Sequence, residues 1–388
     1  ITGAVAPFSK HSYLVKNAND IPRVIKEAFH IASTGRPGPV LIDIPIDVQE
    51  QQLKGPFSYP EQVNIRGYKP SVKGNDLQIK RVVEAIARAK QPLICAGGGV
   101  WLADAKQELL ELAERAQIPV VKTMMGISLM PTDHPLNMGM IGAHGNHCAN
   151  QALAKSDLLI MVGTRAADRA ITSPDEIQRR MATIHIDVDP AEIGKNMQAA
   201  VPLVGNVKVI LRQLLELDIP VSDSADWLSR LRDYRKAELS RVFPHRPGSI
   251  FPGTAVRRLG AKLDDDAVVC VDVGQNQIFT CKYLPQKHGR LLTSGGLGTM
   301  GYALPAGIGA KIAAPERQNV VVCGDGSADD YAQQVRDNLE AQTKVIEGNI
   351  QGLKQFETEY RARLTEFLGQ LVSQVSDTNN YDQDSQDD

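Results

Sequence analysis

The spacing of apolar positions changes several times along the chain, and each change marks a boundary. In "DIPRVIKEAFHIAST" (20–34), Ile21, Val24, Ile25, Ala28 and Phe29 recur at helical intervals. "GRPGP" (35–39) stops that helix, and "VLIDIPIDV" (40–48) predicts a short strand ending at Pro45. These residues, 1–49, make one αβ unit, too small to be a domain alone. Residues 50–75, rich in Gln, Pro, Gly and Lys, predict a linker.

A regular alternation follows. "LQIKRVVEAIARA", "AKQELLELAERA", "NHCANQALAKS" and "VKVILRQLLEL" predict helices, and "PLICAGG", "IPVVKTMM", "DLLIMVG" and "ATIHIDVD" predict strands. Continuous apolar strands separated by helices indicate a parallel sheet covered on both faces, because each crossover lays a helix on a face. This domain is expected at 76–216. Residues 217–250 are polar and contain proline, and predict a second linker with some helix. A third α/β unit, 251–327, reads "FPGTAVRRLGAKL" (helix), "AVVCVDVG" (strand), "LPAGIGAKIAA" (helix) and "NVVVCGDG" (strand). The fold class is therefore α/β, with parallel doubly wound sheets.

After Ser327 the pattern changes type. Val335, Leu339, Gln342, Ile346, Asn349, Leu353, Phe356, Tyr360, Leu364, Phe367 and Leu371 are spaced by threes and fours, with polar interruptions at Gln342 and Asn349. That is a heptad seam, and it predicts a coiled-coil helix over 328–375. The final stretch, 376–388, is acidic and poor in apolar residues, and predicts a disordered tail.

Composition narrows the function. The 388 residues are 43% hydrophobic and 23% charged, with a formal net charge of -2. That balance belongs to a soluble globular protein and gives no electrostatic reason to expect nucleic acid or a membrane surface. No apolar run reaches the length of a membrane span. The five cysteines show no CxxC spacing and predict core thiols in a reducing cytoplasm.

The candidate chemistry lies at strand ends. In "VCGDGS" (322–327) a strand runs into a Gly-Asp-Gly turn, whose exposed N–H groups and carboxylate suit a diphosphate and its bridging cation. Alone the pattern is an ordinary turn. It gains weight from "DVGQNQ" (272–277) after one strand and "SGGLGTMGYALPAGIGAK" (294–311) leading into a helix, since three such loops at one sheet edge could surround one phosphate-bearing ligand. In the middle domain "AGGGV" (96–100), "IGAHGN" (141–146), "VGTRAADR" (162–169) and "IDVDPAEIGKN" (186–196) also end strands. Asp187 is placed to accept from ribose hydroxyls and Arg165 to face a diphosphate. In this middle domain no GxGxxG stands in a ββα context, so a classical hydride-transfer site is not signalled.

"KHSYLVKNANDIPRVIKEAFHIASTGRPGPVLIDIPIDVQ", "HIDVDPAEIGKN" and "SGGLGTMGYALPAGIGAK…CGDGS" together resemble the large, catalytic subunit of acetolactate synthase, a thiamine-diphosphate enzyme family, over residues 1–327. Glyoxylate carboligase and pyruvate oxidase share much of this pattern and are alternatives. The resemblance implies the end of a pyrimidine-binding domain (1–49), a central FAD-binding domain (76–216) and the first half of a diphosphate-binding domain (251–327). It implies decarboxylation of pyruvate and condensation with a second 2-oxoacid (pyruvate or 2-oxobutyrate), a homo-oligomer and a regulatory small subunit.

By the same resemblance Lys10 lines a substrate channel. Gln275, Asn276, Gly296, Gly298, Met300, Gly326 and Ser327 contact thiamine diphosphate, and Asp325 binds Mg2+. Gly98, Thr123, Met124, Ile141, Gly142, Ala143, His144, Gly163, Thr164, Arg165, Asp187, Val188 and Glu192 contact FAD. Where the family often has "FDDR" this chain has Ala166-Ala167-Asp168-Arg169, and where it commonly has His this chain has Asn276. The activating Glu of the family is expected upstream of Ile1 and part of the cofactor site beyond Ser327, so the chain alone is expected to be inactive. "NLEAQTKVIEGNIQGLKQFETEYRARLTEFLGQLVSQ" resembles the C-terminal coiled coil of actinobacterial DivIVA-type scaffold proteins, which makes a self-association module the competing reading.

Overall fold

The computed structural model describes residues 1–222, 224–241, 243 and 247–381. The chain divides into two compact units, residues 1–323 and 324–388.

The first unit opens with α1 (Thr2–Val5), β1 (His11–Leu14), α2 (Ile21–Ser33), β2 (Val40–Asp43) and α3 (Ile46–Gln49). β1 and β2 pair in parallel, with Val15, Ala18, Val24 and Val48 buried beneath them. β1 was not expected; four residues without strict alternation carry too little periodic signal. The strand expected over 40–48 ends at Asp43, and Pro45 starts the short α3 instead. Residues 50–75 contain no helix or strand, but they are docked rather than free: the Val72 carbonyl accepts from Asn206 N (2.9 Å).

Next come α4 (Asp76–Arg88), β3 (Pro92–Ala96), α5 (Gly98–Leu102), α6 (Lys106–Ala116), β4 (Val120–Lys122), β5 (Asn137–Met140), α7 (His147–Lys155), β6 (Leu158–Val162), α8 (Pro174–Arg180), β7 (Ala182–Asp187), β8 (Val201–Val204), α9 (Val207–Leu215) and α10 (Ala225–Leu239). The six strands form one parallel sheet in the order β5-β4-β3-β6-β7-β8. Alternate residues serve opposite cores. Ile94, Ile160 and Ile184 pack beneath α4, α6 and α9, while Leu93, Leu159 and Met161 pack on the other face with α7, α8 and α10. Strands buried on both faces are why they read as unbroken apolar runs.

Residues 225–239, expected as part of a linker, are a 15-residue helix whose Trp227 and Leu231 are fully buried in that second core. The Trp227 indole N–H donates to the Pro92 carbonyl at 3.1 Å. Some helix was expected here; its many charged residues hid that its narrow apolar stripe packs into the core. β5 and β8 were also missed, the first because Asn137 and Gly139 break the pattern and the second because Pro202 interrupts it.

The last part of this unit holds α11 (Pro252–Gly260), β9 (Val268–Val271), α12 (Gln275–Tyr283), β10 (Arg290–Thr293), α13 (Ala303–Ala313) and β11 (Asn319–Val322). The three strands are parallel in the order β10-β9-β11. A polar seam joins this sheet to the middle domain. Thr132 N donates to the Gln286 carbonyl and Gln286 N to Thr132 Oγ1, both at 2.7 Å, and Lys282 Nζ donates to the Gly145 carbonyl at 2.9 Å.

The second unit contains one helix, α14 (Asp325–Tyr381). It corrects two expectations. Gly324–Asp325–Gly326–Ser327 is not a turn in full, because Ala328 N donates to the Gly324 carbonyl at 3.0 Å and closes the first helical turn there. Residues 376–381, expected in a disordered tail, continue the helix, since propagation adds one backbone hydrogen bond per residue fixed. The rest of the expected tail, 382–388, lies outside the described residues. Leu339, Ile346, Leu353 and Phe356 of the heptad seam are all more than half exposed.

Candidate functional site: two parallel-sheet edges

All strands of the middle sheet run the same way, so the loops after them gather at one edge. Counted within the domain, its strand order is 3-2-1-4-5-6, the dinucleotide-binding order, with a switch point between β3 and β6. There Gly97 N donates to the Val162 carbonyl (3.0 Å) and Gly99 N to the Gly163 carbonyl (2.9 Å). The two turns nearly touch. A Cβ on Gly99 would lie 2.7 Å from Gly163 Cα, and Gly163 has φ +55, a left-handed conformation that favours glycine.

The residues singled out in the sequence fall around this crevice. Gly98 follows β3, Thr123 and Met124 follow β4, and Ile141, Gly142, Ala143 and His144 follow β5. Gly163, Thr164 and Arg165 follow β6, Asp187 ends β7, and Val188 and Glu192 lie in the loop beyond it. Arg165 and His144 are exposed. Burial raises the Asp187 carboxyl above the usual carboxylate range, although one oxygen accepts Asp189 N at 2.9 Å. His185 is buried with its pKa lowered by that burial, and its Nε2 lies 3.0 Å from the Thr164 carbonyl, bracing the turn after β6.

Sequence reasoning missed Arg36. Its guanidinium reaches from the first αβ unit to Asp189 (2.9 Å) and Glu192 (2.8 Å), so the loop after β7 is tied across the domain boundary. It also missed Lys122. This lysine ends β4, is almost fully buried, and has its pKa pushed down to about 7, first by burial and then by Arg235 and Lys106. Only its place in a buried strand end could have flagged it. Lys10, expected in a channel, has its ammonium committed: it donates to the Ile31 and Thr34 carbonyls (both 2.5 Å) and to Tyr68 Oη (2.8 Å), closing the C-terminal end of α2.

The second edge belongs to the β10-β9-β11 sheet. After β9, Gly274 has φ +141 and caps α12 with no side-chain hydrogen bond, while its carbonyl accepts Gln277 N at 3.1 Å. Gln275 starts the helix and is exposed. Asn276 Nδ2 donates to the Asp272 carbonyl (3.0 Å) and the Val322 carbonyl (3.3 Å), spanning β9 and β11. After β10, residues 295–300 are all exposed, and they include Gly296, Gly298 and Met300. Met125, after β4, packs against this loop, since a Cβ on Gly295 would lie 2.4 Å from its Sδ. The two crevices are therefore neighbours. Asp325, Gly326 and Ser327 lie in the first turn of α14, in the second unit; Asp325 and Gly326 are exposed. Among the described residues no group of three or more His, Cys, Asp or Glu is arranged to hold a metal ion, and no helix is long and apolar enough to cross a membrane.

Residues 79–214 match the family model described as "Thiamine pyrophosphate enzyme, central domain", and residues 272–347 match "Thiamine pyrophosphate enzyme, C-terminal TPP binding domain". The chain belongs to the thiamine pyrophosphate enzymes. The second match runs past Ser327 into α14. Over 332 residues, 84% of this chain, it is 43% identical to an acetolactate synthase of Mycobacterium leprae and 42% identical to the acetolactate synthase large subunit of Corynebacterium glutamicum, covering 53% of each. Over 357 residues it is 37% identical to acetolactate synthase isozyme 3 large subunit of Escherichia coli, covering 62% of it. The chain spans about half the length of the first two.

Proposed function

We propose that this thiamine pyrophosphate enzyme chain supplies cofactor-binding parts of a 2-oxoacid carboligase of the acetolactate synthase type. The observation that carries this reading is the edge of the β10-β9-β11 sheet, where the uncapped N-terminus of α12 and an exposed glycine-rich loop face the same side. The first N–H groups of α12, those of Gln275 and Asn276, would hold the diphosphate. The loop of Gly296, Gly298 and Met300 would hold the aminopyrimidine, and Asp325, beside Gly326 and Ser327, would be a Mg2+ carboxylate. Bound thiamine diphosphate supplies carbanion stabilisation for decarboxylating pyruvate and joining it to a second 2-oxoacid.

FAD is proposed at the switch point of the middle sheet. Arg165 is there as an exposed cation, and the Asp187 carboxylate is held at the strand end as an acceptor for a ribose. Calorimetric titration of the folded chain with thiamine diphosphate and Mg2+, and separately with FAD, tests both sites. Saturable heats are expected from each, and a flat trace at millimolar cofactor would overturn the corresponding site.

A second reading concerns α14. Its exposed Leu339, Ile346 and Leu353 at heptad positions favour self-association through a helical bundle. Sedimentation at micromolar concentration should show an oligomer that Leu353→Glu dissociates. A monomer in both cases would remove this reading.

A further inference from the structure

We propose that Asp272 is a positioning residue that sets the spacing between the two halves of the candidate thiamine-diphosphate site, an inference that rests on the reading above. Asp272 is fully buried at the C-terminal end of β9. Its Oδ1 accepts from Val273 N (3.0 Å) and Tyr302 N (3.2 Å), and its Oδ2 accepts from Gly301 N (3.1 Å). One carboxylate therefore holds the turn that begins α12 and the loop that begins α13.

Apart from Met125 packing at Gly295, few other contacts hold the loop among the described residues. Residues 295–300 are exposed, Leu297 at 96%, and Gly298 and Gly301 adopt φ +66 and +84. Among the described residues, its other hydrogen bonds are local to its own start, Gly295 N to the Thr293 carbonyl and Thr299 N to Ser294 Oγ. The two N–H groups on Asp272 are its ties to a different strand. A buried carboxylate with several backbone N–H donors is a strong, directional anchor.

The same carboxylate meets both helix starts at this edge: it accepts from Val273 N, two residues before α12, and from Gly301 N and Tyr302 N, immediately before α13. The loop is thereby held at a defined distance from the N-terminus of α12.

The test uses the full chain. Asp272→Asn keeps the volume but turns an N–H donor toward one of the loop amides. Hydrogen exchange of the 294–302 segment should then rise about tenfold or more while 268–271 is unchanged, and thiamine diphosphate affinity should fall about tenfold. Exchange and affinity within twofold of the unmodified chain would overturn the proposal. So would equal acceleration of loop and strand, which would make Asp272 a fold residue only. If Asp272→Asn fails to fold, Tyr302→Pro, which removes one donor at a position with φ -68, is compared with Tyr302→Ala, which keeps it. The proline variant alone should loosen the loop and weaken binding, and equal behaviour of the two would overturn the proposal. If the unmodified chain binds no thiamine diphosphate, the cofactor reading fails, while the exchange comparison still decides the anchor.

Discussion

The two parallel sheets of the first unit put glycine turns at the same place, the C-terminal ends of their strands, but they hold them differently. At the six-stranded sheet the turns after β3 and β6 lock backbone against backbone, with both sheet faces buried. At the three-stranded sheet the loop after β10 stands open to solvent, and only the central strand β9 is buried along its whole length. One crevice is shaped by close backbone packing, while the other is held by a carboxylate beneath an exposed loop. Four substitutions test that difference.

The largest effect is expected in the packed half. Trp227→Ala empties a fully buried site between α10 and the sheet, and should lower stability by about 4 kcal/mol in urea denaturation. A loss under about 1 kcal/mol would mean that α10 is not part of the core.

Lys122 gives the next effect, with opposite sign. Its folded pKa of about 7 lies below the ordinary lysine value, so between the two the unfolded chain holds a proton that the folded chain lacks. Stability should therefore rise as pH increases from about 7 toward about 10. Lys122→Met should stabilise the chain by on the order of 3 kcal/mol at pH 7, with the gain shrinking toward pH 10. A gain that does not depend on pH would show that the ammonium is not the cause.

Gly163→Ala should cost about 2 kcal/mol, because the added Cβ meets Gly99 Cα at 2.8 Å in a left-handed conformation. It should also weaken FAD more than thiamine diphosphate; equal weakening of both would dissolve the distinction between the crevices. The smallest change is expected at β11, where Val321→Ala, in a half-exposed edge strand, should cost about 1 kcal/mol or less. A cost equal to that of Trp227→Ala would show that the three-stranded sheet is as tightly packed as the six-stranded one.

Much of this was legible in the residues. β3, β6 and β7 are unbroken apolar runs flanked by amphipathic helices, and they read as a doubly wound sheet without help. β5 and β8 were not legible, because Gly139 and Pro202 suit edge strands whose identity depends on their neighbours. Some helix was expected over 217–250, but not that 225–239 belongs to the core, since only tertiary packing against the sheet buries Trp227. In the candidate sites, glycines and strand-end acids marked the loops. Arg36 and Lys122 carried no such mark, and Asp272, though a strand-end acid of "DVGQNQ", gave no sign of the loop it holds, because its partners Gly301 and Tyr302 are distant in sequence.

The sequence by itself determined the central strands β3, β6 and β7 and the helices flanking them, that these strands are parallel, and that their glycine-rich ends face one edge. Those properties follow from local periodicity and from the chain's need to cross over between parallel strands. Only the tertiary structure decided the strand order, which sets the switch point between β3 and β6, and which strand-end acid holds the loop before α13. Asp272 reaches Gly301 N and Tyr302 N because β9 sits beside β10, a neighbourhood that no local spacing encodes.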